Sequence, residues 1–163
     1  MKMIVAVDNK WGIGKNGDLL ANLPMDKKYF KEKTLNSIVI MGRKTLESLP
    51  GGKPLKNRLN IVITRNPSYR QAGCFIYSSI ASLIQYLETC TDTDNVWVIG
   101  GAEIYNQLYK QCDEIYVTKM DTDLGADVFI KNFDEDPNYV LKYESEEHEQ
   151  NGISFRFCQY EKR

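Results

Sequence analysis

Asp26 and Phe30 stand four residues apart in Leu23-Pro24-Met25-Asp26-Lys27-Lys28-Tyr29-Phe30. On a helix that spacing puts both on one face. A carboxylate beside an aromatic ring is partly desolvated, which raises its pKa. It is then suited to hold an amidine-like or cationic group through two parallel hydrogen bonds. An acid in the first turn of a helix also complements the helix dipole, and that plain role explains most such residues.

Gly12-Ile13-Gly14-Lys15-Asn16-Gly17 has the glycine spacing of a dinucleotide fingerprint. The mechanism behind that fingerprint needs a helix opening inside the motif and an acid at the end of the next strand. Here the next strand ends in Met41-Gly42-Arg43-Lys44-Thr45, which is basic. The glycines therefore read as a long surface loop, and loops of about 15 residues in a compact domain are usually functional lids. Arg43-Lys44-Thr45 and Thr64-Arg65 both follow apolar runs. Helix N-termini beyond the carboxyl ends of strands suit phosphates. Exposed turns decorated with Lys and Arg would look the same. Gly100-Gly101 is a third such junction, where a ligand or a backbone is able to approach closely or where the chain simply turns.

Composition narrows the chemistry. The chain has 163 residues, one domain's worth, expected to span 1–163 as a single unit. Its formal net charge of −1 lacks the basic excess of a general nucleic-acid binder. No apolar run approaches the roughly 20 residues needed to span a bilayer, and the early charges of Met1-Lys2-Met3 do not suit a signal peptide. Four cysteines without a C-x-x-C pair, and one histidine, His148, argue against a zinc site and for free thiols in a reducing cytoplasm. His148 lies in a polar stretch, so a histidine-dependent hydrolase is not expected.

The elements that must position these residues alternate in an α/β pattern. Apolar runs at 3–7, 37–41, 59–64, 75–77, 96–99 and 114–119 read as strands. A loop from Asp8 to Leu23 precedes a helix to about Thr34, with Asn22 as its N-cap and Pro24 in its first turn. Further helices are expected from Arg43 to near Leu49, from Ser79 to Thr89, and after Gly101 through Tyr109. Tyr139–Glu147 and Ile153–Tyr160 flank Gln150-Asn151-Gly152 and read as an antiparallel hairpin. The expected fold is a single-domain, mostly parallel sheet of about eight strands, with helices on both faces and this hairpin at one edge.

Taken together, the segments resemble dihydrofolate reductases. The resemblance runs through Ile4-Val5-Ala6-Val7, the Gly12–Leu19 loop, Leu23–Lys31, Val39–Thr45 and Val98–Tyr105, then a strand at Ile115–Thr118 and the pair Asp127 and Phe129. Order and spacing agree over essentially the whole chain. The resemblance implies NADPH-dependent reduction of 7,8-dihydrofolate to tetrahydrofolate in one-carbon metabolism. It also implies binding of antifolates and a monomeric, cytoplasmic enzyme that takes neither nucleic acid nor membrane as partner.

By the same resemblance, Asp26 is the active-site acid, holding the pterin and favouring protonation at N5, with Thr118 in support. Ile4 and Ile99 contact the pterin through backbone carbonyls, Phe30 packs on it, and Val5, Leu19 and Leu49 complete the substrate side. Arg58 grips the carboxylate of the glutamate tail, a bidentate task that lysine performs less well. Ala6 and Ile13 hold the nicotinamide, with Gly14, Asn16, Gly17 and Asp18 in a mobile lid above it. Gly42, Arg43, Lys44, Thr45, Ile63, Thr64 and Arg65 meet the phosphates and adenosine. Ile99, Gly100, Gly101, Ala102, Glu103, Ile104 and Tyr105 line the cofactor, with Gly100–Gly101 cis.

One departure matters. The family usually carries Pro-Trp after the lid, and this chain has Leu20-Ala21. The missing indole implies altered lid closure and altered substrate or antifolate affinity. Two other functions compete: a reductase of the same fold acting on another pterin or a pyrimidine, and a non-catalytic pterin- or nucleotide-binding module. The first is not expected to keep Asp26 and Arg58 together; the second would bind NADPH without turnover.

Overall fold

The protein is described by a computed structural model covering residues 1–90, 93 and 95–163. Strands β1 (Lys2–Val7), β4 (Ile38–Gly42), β5 (Leu59–Ile63), β6 (Cys74–Tyr77), β7 (Val96–Gly100) and β8 (Glu114–Met120) are the apolar runs of the sequence. They pair in parallel in the order β8-β1-β7-β4-β5-β6. At the β8 edge, β12 (Ile153–Lys162) and then β10 (Tyr139–Glu144) add antiparallel. This is the expected eight-strand mixed sheet, with the short β11 (His148–Gln150) hairpinned onto β12.

Alternation along the strands sorts the core into two faces, as successive side chains must point to opposite sides. Met3, Val5, Ile40, Val98 and Val117 pack with Leu83 and Leu87 of α3 (Ile80–Leu87) and with Ile104 and Leu108 of α4 (Ala102–Leu108). Ile4, Val39, Met41, Ile99 and Tyr116 face the other way. They pack with Tyr29 and Phe30 of α1 (Pro24–Thr34) and Leu46 of α2 (Arg43–Ser48). Parallel strands buried on both faces read as continuous apolar runs, which is why they stand out in the sequence.

Two expectations need correction. The segment from Asp8 to Leu23 is not all loop. It contains β2 (Gly12–Lys15) and β3 (Asp18–Leu19), joined by Asn16 and Gly17 at φ 52° and 81°. Paired positive φ values make the tight turn that suits a two-residue hairpin. β2 also pairs with β9 (Val128–Phe129), forming a second, three-stranded sheet. The other correction concerns the start of α1. Its N-cap is Leu23, which is buried and offers no side-chain acceptor, and not Asn22. Burial of Leu23 with Met120 and Phe155 decides the boundary over the capping preference of Asn22.

Candidate active site

Asp26 occupies the first turn of α1, with Pro24 at the helix start as expected. Its Oδ1 accepts a hydrogen bond of 2.6 Å from Thr118 Oγ1 on β8. Its Oδ2 accepts no hydrogen bond among the described residues, leaving one oxygen available. Burial raises the carboxyl pKa above the usual aspartate value, and the Thr118 bond opposes part of that rise. The free oxygen of a half-buried acid with a raised pKa is a hydrogen-bonding handle, and the carboxyl is suited to serve as a proton source.

The sheet opens beside this acid. β1 and β7 pair only at Lys2↔Trp97 and Met3↔Val98, so Ile4 to Ala6 and Ile99 have no ladder between them. Such a split frees backbone groups toward a ligand at the carboxyl ends of parallel strands. The hydroxyl of Tyr105, a buried residue on α4, donates to Ile4 O at 2.8 Å through this opening. Ile4, Ile99, Phe30 and Leu49 belong to one apolar cluster on the α1 side, so the structure brings these four together. Val5 turns its side chain to the opposite face, leaving only its backbone toward the gap. Leu19 sits on β3 with its side chain 76% exposed and is not drawn into the cluster.

A groove of about 860 Å³ runs along the carboxyl ends of β4, β5, β6 and β7. Most of the sequence-chosen cofactor residues line it: Gly42, Arg43, Lys44, Thr45, Ile63, Thr64, Arg65, Gly101, Ala102, Glu103 and Ile104. Tyr69, Ser78, Ser79 and Gln107 line it as well and were missed. Ser78 and Ser79 follow β6, so the rule that ligands bind beyond strand carboxyl ends would have found them. The peptide between Gly100 and Gly101 is cis, as expected. Gly100 has φ 129°, and a Cβ there would stand 3.3 Å from Tyr105 Oη, so glycine is required.

Arg43 pairs with Glu47 and Arg65 with Glu103, the latter at 2.7 Å. Both pairs are solvent-exposed and cost little to break, so both guanidinium groups are available to an anion. Of the remaining residues chosen for the cofactor, Gly14, Asn16, Gly17 and Asp18 belong to the β2–β3 hairpin, outside the groove's lining. Asn16 N donates to Asp127 Oδ2 at 3.0 Å, and Asp127 N donates to Gly14 O at 3.0 Å, tying the β2–β3 hairpin to the β8–β9 connection. Gly17 and Asp18 are exposed at its tip, while Ala6 and Ile13 pack at its base.

The family model described as dihydrofolate reductase matches residues 1–162. The chain belongs to the dihydrofolate reductase family. Dihydrofolate reductase of Bacillus subtilis is 37% identical over 100% of this chain and 95% of its own length. The rat enzyme is 36% identical over 100% of this chain and 97% of its own. Among solved structures, dihydrofolate reductase from Enterococcus faecalis, complexed with NADP(H) and RAB-propyl, superposes with a TM-score of 0.87. It is 30% identical and covers 99% of this chain and 95% of that one.

Arg58 lies apart from the groove, in a surface hollow with Asn36, Asn57 and Asn95. Its buried Nε has no hydrogen-bond partner among the described residues, and burial lowers its pKa. Asn60, also missed, holds the loop: its side chain donates to Leu55 O and Arg58 O and accepts from Leu55 N. Asn60 is 2% exposed, and nothing in its residue type separates it from an ordinary strand position.

Proposed function

We propose that this dihydrofolate reductase reduces 7,8-dihydrofolate to 5,6,7,8-tetrahydrofolate with NADPH, and that Asp26 is its acid. The observation that carries the reading is Asp26 itself: half-buried, bound by Thr118 at Oδ1 and open at Oδ2. The carboxylate oxygens of Asp26, with Oδ2 open, suit the 2-amino group and ring nitrogen of a pterin, whose paired donors match a carboxylate. Holding a proton close to the ring favours protonation at N5. Phe30 and Leu49 offer an apolar wall for the ring, and the carbonyls of Ile4 and Ile99 lie at the open seam.

The residues of the groove fit a dinucleotide phosphate. Arg43, Lys44 and Arg65 supply cations, Thr45 and Thr64 supply hydroxyls, and the missing side chains of Gly42 and Gly101 leave room for close approach. A 2′-phosphate adds charge that this basic rim favours, so NADPH is preferred over NADH. NADPH, when bound, supplies the hydride. The chain's part is to orient the ring, exclude water beneath the lid and hold the proton on Asp26.

Arg58, whose Nε has no partner among the described residues, suits the carboxylate of the glutamate tail. Antifolates that carry paired amino groups suit Asp26 for the same reason. We read the chain as one domain over 1–163, acting as a monomer in the cytoplasm without nucleic acid. No helix among the described residues is long and apolar enough to cross a membrane.

The deciding experiment follows NADPH absorbance with dihydrofolate for the natural protein and Asp26→Asn side by side. Turnover in the first and near-silence in the second at neutral pH supports both function and acid. Equal turnover removes Asp26 from its role. Binding of NADPH without turnover in either favours the binding module or the other-substrate reductase.

A further inference from the structure

We infer that Gln150, the last residue of β11 before the turn into β12, is a positioning residue for Asp26, because it supplies the acceptor that helix α1 lacks at its own start. The inference rests on the reading of Asp26 as the acid of dihydrofolate reduction.

An α-helix leaves its first four N–H groups without intrahelical partners. In α1 the residue at the cap, Leu23, has no side-chain acceptor, and Pro24 has no N–H. Met25 therefore carries the first donor that needs a partner. Gln150 Oε1 accepts it at 2.8 Å, from 125 residues away. Next to it, Asn151 Nδ2 donates to Asn22 O at 2.9 Å, fixing the residue through which the lid enters the helix. The cap that Asn22 was expected to give is thus borrowed from the C-terminal hairpin.

The same hairpin strand carries the other side of the acid's support. Phe157 on β12 lies opposite Thr118 on β8 in the antiparallel register. It also stacks on Tyr29 of α1, with ring centroids 4.1 Å apart and planes 24° apart. Thr118 in turn holds Asp26 Oδ1. The chain of contacts closes on itself: turn to helix start, helix start to Asp26, Asp26 to Thr118, Thr118 to the strand that leads back to the turn. Asp26 is one residue past the capped Met25. A helix start that drifts by a fraction of an ångström strains a 2.6 Å hydrogen bond and admits water to the carboxyl. The titratable groups that feel the charge of Asp26 are Tyr29 on α1 and Tyr105 on α4, both held neutral by burial. They leave the carboxyl itself as the group that reports the change.

The test uses the full chain with Gln150→Met, which keeps length and loses the acceptor, and Gln150→Glu, which keeps an acceptor. Two quantities are read: the titration of the 13C-labelled Asp26 carboxyl in the ligand-free protein, and kcat and KM for dihydrofolate across pH. Gln150→Met is expected to lower kcat about tenfold with little change in KM, as misplacement of a reacting group does. Its Asp26 titration falls toward the ordinary aspartate value, because desolvation is the larger cause of the rise. Gln150→Glu restores kcat. If Gln150→Met does not fold, Gln150→Asn, one methylene short of the bond, is read in the same way. A variant that melts earlier yet keeps the wild-type titration and kcat overturns the inference, as does a Gln150→Glu variant as slow as Gln150→Met. The titration needs no turnover. A wild-type chain inactive on dihydrofolate would refute the functional reading and leave the positioning result legible.

Discussion

Thr118 Oγ1 and Asp26 Oδ1 are joined by a 2.6 Å hydrogen bond between residues 92 apart in the chain. The bond favours the ionised carboxyl, so it pulls against the burial that raises the pKa. Thr118→Val removes that pull, and the Asp26 pKa rises further. The limb on which kcat declines with pH should move to higher pH, while turnover falls roughly tenfold as the acid loses its orientation. A pH–rate profile with the limb unmoved would show that Thr118 does not tune the acid.

Asp26→Asn separates function from stability. Folding raises the carboxyl's pKa, so between the unfolded and folded values the native state holds the extra proton. Stability therefore falls as pH rises through that window, and the cost persists above it. The variant carries no such cost. It should melt higher than wild type at neutral pH, with the difference vanishing below about pH 4, while turnover drops about 10²–10⁴-fold. Thermal melts at pH 3.5 and 7 check the first statement and NADPH consumption the second.

Tyr105→Phe tests the seam between β1 and β7. It deletes the 2.8 Å bond to Ile4 O and leaves a buried carbonyl short of a donor. The expected cost is about 1–3 kcal/mol, a fall in Tm of roughly 2–12 °C. An unchanged melting temperature would mean that the Ile4 carbonyl finds another donor.

Arg58→Ala should raise KM for dihydrofolate about 10–100-fold, the worth of one charge-assisted contact, with kcat nearly unchanged. A dihydropterin lacking the glutamate tail should not distinguish the variant from wild type. Equal losses with both substrates would move Arg58 from binding to structure.

Arg43→Ala with Arg65→Ala removes two exposed ion pairs, which contribute little to stability. The melting temperature should hold within about 2 °C, while KM for NADPH rises at least tenfold and KM for NADH changes far less. Steady-state kinetics with the two cofactors reads this directly.

Local sequence determined a good deal. The six parallel strands were legible because both faces of each are buried, which writes an unbroken apolar run. The hairpin at Asn151-Gly152 was legible from its turn residues and the alternating strands beside it. Asn16-Gly17 carries the same turn signal at φ 52° and 81°, yet the glycines around it read as loop. Its strands are short, and what makes them strands is β9, more than a hundred residues away. Asp26 and the basic strand ends were visible as residue types at helix starts.

Only the tertiary structure decided which of those types act together. Thr118 is an ordinary strand residue until β8 brings its hydroxyl to Asp26. Asn60 and Gln150 are polar residues without a motif until the fold aims one at the Arg58 loop and the other at Met25 N. The cap of α1 could not be read locally, because burial of Leu23 outweighs the capping preference of Asn22 and a distant hairpin satisfies the helix instead. Side-chain type and short-range periodicity are local properties. Hydrogen-bond partnership across the sheet and the desolvation that raises the Asp26 pKa depend on long-range packing, and they exist only once the chain has closed around the site.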